Sequence, residues 1–482
     1  MKAQTTHAHR VRFGLSGALA LAAVLVLAAC SSDKPTSAAS ATSSPNASSS
    51  CAASQPDQLR NLLAAEITSA LQKRDRTAFL SLAASPGAKR AMSSWWTNVD
   101  ALGFTTGGAQ ALRTGGRHVD MSIGVHNALD PTSSRDGKAR TPNVVATQYR
   151  LGVQQATSGP CHLIVTSWTS RSAAPWDIGA KLYVVHTKHT VVAGERRMKS
   201  EIDRVAPYAE KAAAWSFGFF KHNRHADYIE QNGFVLFLPS TDAQATSWFR
   251  APTTKKPKGW IGDPTFAGGY AFPLSGVTVP ETYLLPKDSP KLHPVTQITG
   301  GARTILTSAG RHYDTTVMTG VIVHEFTHDI FANKNIGYYL GGDGASSSTV
   351  EGAATLLQAY FSRSPDDPTR SRESMDTFQQ YLLPQIRQHF ALFRDRMPTD
   401  KEMYGAAASQ FYNYDLSASG FYYEGGNGNG IDFELQCIKD AYVNGGGPFS
   451  GIQISNKGGT ITFADPAKEQ RAWAQAVRNT VG

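Results

Sequence analysis

Residues His324, Glu325 and His328 carry the sharpest chemical signal in the chain. They stand in the run His324-Glu325-Phe326-Thr327-His328. On a helix, positions i and i+4 lie one turn apart on one face, so both imidazoles reach a single metal ion. Zn²⁺ suits neutral imidazole nitrogen, and a catalytic site takes three protein ligands and keeps one position open. Glu325 is offset beside the pair. There it can take a proton from a water activated by zinc as that water attacks a carbonyl, and pass it to a leaving amine. The surrounding residues predict a helix: Asp314 is a good N-cap, and Val317, Val321, Phe326 and Ile330 supply apolar positions.

The third ligand separates the classes of site. A histidine six residues past His328 would mark the metzincins, but Lys334 stands there, and position 331 is Phe rather than Gly. Glu351 lies 23 residues after His328, in residues 346–360, which read as the start of a second helix. This pattern resembles the gluzincin group of zinc metallopeptidases, where a glutamate about twenty residues beyond HExxH opens a second helix packed on the first. The resemblance implies that His324, His328 and Glu351 hold Zn²⁺ and that Glu325 is the base. Two other readings stay open. Ser348-x-x-Glu351 is also a capping box. Asp343, within Gly342-Asp343-Gly344, would resemble the aspzincin ligand but also reads as a plain turn.

The resemblance covers about residues 230–478, with its sharp motifs in 324–351. Residues 414–422 resemble the segment that carries an oxyanion-stabilising tyrosine in several of these families. Tyr414 is the first choice, Tyr412 and Tyr422 are alternatives, and the same aromatic cluster also reads as core packing. Residues 469–479, with Trp473, resemble the terminal helix of such peptidases. No substrate-anchoring strand motif of the aminopeptidase members precedes the histidines, which favours an endopeptidase. Residues 304–308 are a candidate edge strand for pairing with an extended peptide.

The N-terminus reads as an address. Lys2, Arg10 and Arg12 precede an apolar or small-residue run from 13 to 29, which ends at Cys30. Leu27-Ala28-Ala29-Cys30 resembles a bacterial lipobox, so residues 1–30 are expected to be a lipoprotein signal with Cys30 lipidated. Acyl chains there would hold the protein at the extracytoplasmic face of the cell membrane. Nine of the twenty residues 31–50 are Ser. Such a segment cannot bury enough apolar surface to fold, so 31–51 reads as a flexible tether.

The formal charge is +9, and the three cations before Cys30 leave +6 for the rest. That mild excess is spread out, with no dense Lys/Arg block, which fits an anionic envelope better than nucleic acid. With Cys30 taken by lipid, Cys51, Cys161 and Cys437 remain. An oxidising compartment lets two of them pair, and Cys51 with Cys161 is the choice.

These elements require a scaffold. At 482 residues the chain is too long for one ordinary domain. Residues 52–200 read as an α+β domain: helices at 58–74 and 76–82, then strands at 119–125, 143–151, 162–168 and 181–185. Helices followed by a curved sheet resemble the nuclear-transport-factor-2-like superfamily in pattern alone. The histidines 118, 126, 162, 186 and 189 form no set there, and a binding or spacer role is expected. Residues 201–228 read as a linking helix. Residues 229–482 are expected to form a mainly helical, zincin-like metallopeptidase domain with a small sheet, including strands at 234–238 and 303–306. The expected class is α+β throughout. The expected function is zinc-dependent peptide-bond hydrolysis of a peptide or protein substrate. The alternative is an inactive cell-envelope binding lipoprotein on a peptidase fold.

Overall fold

The computed structural model describes residues 56–115, 117–130, 144–157, 161–171, 174–222, 226, 229, 231–248, 268–273, 275–277, 302–332, 347–369, 453–456 and 459–462. Three helices open the described chain. α1 (Pro56–Gln72) turns Leu63, Ile67, Ala70 and Leu71 inward. α2 (Arg76–Ser81) starts where Asp75 Oδ1 accepts from the amide of Ala78. α3 (Pro86–Ala101) starts at Ser85, with Pro86 in its first turn, and buries Met92, Trp95, Trp96 and Val99. The first two match the apolar spacing in the sequence. α3 was not anticipated, because its two adjacent tryptophans and its serines blur the period of 3.6.

These helices lie on an antiparallel sheet of β1 (Phe104–Gly115), β2 (His118–Asn127), β3 (Val144–Gln155) and β4 (Leu163–Ser170) in that order. The interior is filled with rings. Phe79 lies 5.1 Å from Trp96 and 5.5 Å from Trp95, and Tyr149 lies 4.9 Å from Trp168. A void of about 10 Å³ remains among Leu102, Phe104, Trp176 and Val235, barely room for one water. The alternation expected along β2 does not translate into exposure: Ser122 and His126 are buried as well.

The second sheet runs β5–β6–β7–β10–β8. It comprises β5 (Leu182–His186), β6 (Thr190–Glu195), β7 (Phe234–Leu238), β8 (Gly269–Pro273) and β10 (Ala302–Leu306). The three middle strands are parallel and both outer strands antiparallel. α4 (Lys199–His222) makes the crossover from β6 to β7. Alternate residues of β7 serve two layers. Val235 and Phe237 join the same apolar cluster as Trp95 of α3 and Trp176, which lie with the first sheet's core residues. Phe234 stacks on Phe217 of α4.

The fold is therefore mixed α+β with two five-stranded sheets. The strands on both sides of residue 200 pair in one sheet, and β9 (Ser275–Val277) pairs with β3 of the first sheet. The expected boundary at 200 thus does not divide the strands by sheet. One buried ion pair joins the layers: Arg303 of β10 grips Asp130, just past β2, through two bonds of 2.6 and 3.0 Å.

The remaining described elements are α5 (Asp242–Trp248), α6 (Ser308–His312), α7 (Thr315–Ala332), α8 (Ser347–Arg363), and the hairpin β11 (Gln453–Asn456) and β12 (Gly459–Thr462). No described helix is long and apolar enough to cross a membrane. The expected helix at 469–479 lies outside the described residues, as does the segment 1–55.

Candidate metal centre

α7 carries the HExxH run. Asp314 caps it as expected, its Oδ1 accepting from the amides of Thr316 at 2.9 Å and Val317 at 3.0 Å. From Ile322 to Ile330 every residue is buried. The helix is wedged among α4, α8, β8 and β10. Phe326 faces the core and lies flat on Phe234, with ring centres 4.0 Å apart. Thr327 Oγ1 donates a hydrogen bond to the carbonyl of Val323 at 2.8 Å. Packing therefore fixes the rotation of α7 about its axis and leaves one face for the imidazoles.

His324 and His328 meet on that face. Their Nε2 atoms are 3.1 Å apart, the rings inclined at 77°. Two ligands of a tetrahedral zinc ion, each bound at about 2.0–2.1 Å, stand about 3.3 Å apart. The two nitrogens thus converge as ligands of one ion do, and the donor set fits Zn²⁺. Glu325 is buried beside them and lies over the backbone of β8. A methyl group added to Gly269 would come within 2.8 Å of Glu325 Cγ and 3.2 Å of its Oε1. Only glycine lets the carboxylate sit this close to the strand.

That strand corrects an expectation. Residues 304–308 were the candidate edge, but Thr304 and Ile305 pair with β7 on one side and β8 on the other. β8 is the outer strand of the sheet among the described residues. It lies in a stretch rich in Gly, Pro and Lys, where a five-residue strand has no legible alternation.

α8 packs on α7 and contains Glu351 in its first turns. The helices approach closely at Gly320, where an added Cβ would stand 3.3 Å from Gln358 Cγ. The side chain of Glu351 lies outside the described residues. So do Asp343, Tyr412, Tyr414, Tyr422, Cys30, Cys51 and Cys437. Among the described residues no group of three His, Cys, Asp or Glu side chains could hold a metal ion. Cys161 is disulfide-bonded, and its partner lies outside the described residues.

No protein-family model matches the chain, and no curated protein or solved structure shows significant similarity to it. The site therefore rests on its own geometry.

Sequence reasoning missed the polar support behind α7. Asp329, next to His328, is buried, and Thr304 Oγ1 donates to its Oδ2 at 2.8 Å. Burial pushes its carboxyl up to about 8. The Thr304 bond and the Arg303 charge oppose that rise, and Asp130 adds to it. The available signal was a charge inside an apolar helix and another, Arg303, inside an apolar strand. Buried charges persist only with partners.

Three of the histidines between 118 and 189 have hydrogen-bond partners within the fold. His126 Nδ1 pairs with Thr105 Oγ1 at 3.0 Å, and His186 Nε2 meets the carbonyl of Ala101 at 2.8 Å. His189 Nδ1 pairs with Glu210 at 2.6 Å.

A second buried polar cluster lies inside the first sheet. Tyr149 accepts bonds from Trp95 Nε1 at 2.8 Å, Thr147 Oγ1 at 2.7 Å and Trp176 Nε1 at 3.3 Å, and donates to Asp177 Oδ1 at 3.0 Å. Ser170 donates to Asp177 Oδ2 at 2.8 Å. Asp177 is partly exposed as a residue, but its carboxyl turns inward, and burial pushes it up to about 7 against the bonds from Ser170 and Tyr149.

Proposed function

We propose that this chain is a zinc-dependent peptidase, tethered through a lipidated Cys30 to the extracytoplasmic face of a cell membrane, with a zincin-like catalytic region. The observation that carries the reading is the convergence of His324 and His328, their Nε2 atoms 3.1 Å apart, beside a buried Glu325. His324 and His328 would hold the ion with Glu351 as third ligand, since α8, which carries that residue, packs on α7. A bound Zn²⁺ supplies Lewis-acid polarisation of a carbonyl and lowers the pKa of water.

The chain's own residues do the rest. Glu325 takes the proton of the attacking water on its carboxylate and delivers it to the departing amine. Packing against Gly269 holds that carboxylate in one place. An extended peptide pairing with the outer edge of β8 would pass directly by Glu325, main chain to main chain. Tyr414 is assigned the hydrogen bond to the oxyanion.

The test is metal analysis and peptide hydrolysis on the full chain. One zinc per chain is expected, absent in His324→Ala. Glu325→Gln should keep the zinc and lose hydrolysis by at least about 100-fold. Zinc without chelator-sensitive cleavage would leave only the inactive binding lipoprotein. Neither zinc nor cleavage would end the metal reading as well.

A further inference from the structure

An open cleft of about 570 Å³ lies on the helical side of the first sheet, away from the metal helix, lined by Pro86, Lys89, Arg90, Ser93, Thr97 and Lys181 among others. Its volume is in the range of small-ligand sites, about 300–1,000 Å³. No acidic side chain lines it. Lys89, Arg90 and Lys181 are exposed and have no ion-pair partner among the described residues. Arg76 adds a fourth cation, held against the wall by bonds to Ser93 Oγ at 2.8 Å and Thr97 Oγ1 at 3.5 Å. The nearby carboxylates are engaged elsewhere: Asp75 caps α2, Asp100 pairs with Arg74, and Asp177 turns inward.

Two features show that the cations are placed by the fold. Asn98 is fully buried and clamps the segment before β5. Its Nδ2 donates to the carbonyls of Trp176 and Ala180, and its Oδ1 accepts from the amide of Leu182. Lys181 is thereby fixed at the rim opposite α3. The first turn of the 16-residue α3 forms the other rim, so the positive end of its dipole adds to the field of Lys89 and Arg90. The side chains that line the cleft bring cations, hydroxyls and the amide of Asn98.

We infer that this cleft binds an anionic ligand with several phosphate groups in a chain. Three exposed cations around one cleft exceed what a single monoanion needs, and with Arg76 beside them and no carboxylate in the lining they match a chain of phosphate groups. The site is independent of the metal centre.

The probe is sodium tripolyphosphate, titrated calorimetrically into the full chain at low ionic strength. One saturable site is expected, weakened by salt. The triple variant Lys89→Gln/Arg90→Gln/Lys181→Gln should bind at least about tenfold more weakly. The control Lys73→Gln/Lys188→Gln/Lys221→Gln removes the same charge from exposed positions elsewhere and should bind as the wild type does. His324→Ala should also bind normally. Equal weakening in both triple variants would reduce the effect to net charge and overturn the site. Loss of binding in His324→Ala would place the anion at the metal centre instead. Stronger binding of polyglutamate, or binding only to vesicles of anionic phospholipid, would overturn the assignment to a phosphate chain in the cleft.

Discussion

The two buried polar clusters of this molecule are built on opposite plans. Inside the first sheet, Tyr149, Asp177, Trp95, Trp176, Thr147 and Ser170 close on one another, each donor matched by an acceptor. On α7, two identical groups, His324 Nε2 and His328 Nε2, are aimed at the same point. A closed set satisfies itself and rigidifies the core. The two imidazole nitrogens stand at a separation that suits both a hydrogen bond between the rings and two ligands of one ion, and zinc is the reading proposed above. Burial alone does not distinguish a structural cluster from a site.

Three experiments break or sharpen that contrast. The largest effect is expected behind the metal face. Arg303→Met leaves Asp130 buried opposite no cation, and breaking such a pair costs about 3–5 kcal/mol. Urea unfolding should show this, and Asp130→Leu/Arg303→Met should recover most of it. A loss below about 1 kcal/mol would mean that the pair does not join the two sheets.

Zinc comes next. An ion that binds the folded chain alone stabilises it by about 2.7 kcal/mol at a concentration 100 times its Kd. The thermal midpoint of the wild type should rise with added zinc, and that of His324→Ala should not. An equal rise in both would put the ion away from α7.

A pH-dependent effect belongs to the closed cluster. The Asp177 carboxyl sits at about 7 in the folded chain against a usual 3.8. The folded state therefore holds a proton that the unfolded state has released. The stability this contributes is fully present below about pH 4 and is lost as pH rises through 7. The decline is at most one proton's worth, about 1.4 kcal/mol per pH unit. Unfolding measured from pH 4 to 8 should show the wild type losing stability relative to Asp177→Asn across that window. Parallel curves would mean that the carboxyl is not enclosed.

Much of this was legible along the chain. The apolar spacing of α1, the cap of α7 and the five-residue run of β7 are local signals, and each appears close to where the sequence places it. α3, β6 and β8 were not legible. Adjacent tryptophans blur a helical period, and short strands among glycines and prolines carry too few side chains to show alternation. Of the site, the two histidines and the base could be read from their spacing. Gly269, Thr304 and Asp130 could not, because they lie 20 to 194 residues before the motif in sequence.

The sequence by itself determined that His324 and His328 share one face of a helix, because an i, i+4 pair is a property of helical geometry alone. It also determined where α7 begins, through Asp314. Only the tertiary structure decided what surrounds that pair. It made β8 the outer strand among the described residues, set Gly269 beneath Glu325, and tied α7 through Thr304 and Arg303 to Asp130, just past β2. These are pairings between distant segments. They follow from which strand edges and apolar faces remain to be covered once the local elements have formed, and no local pattern encodes that choice.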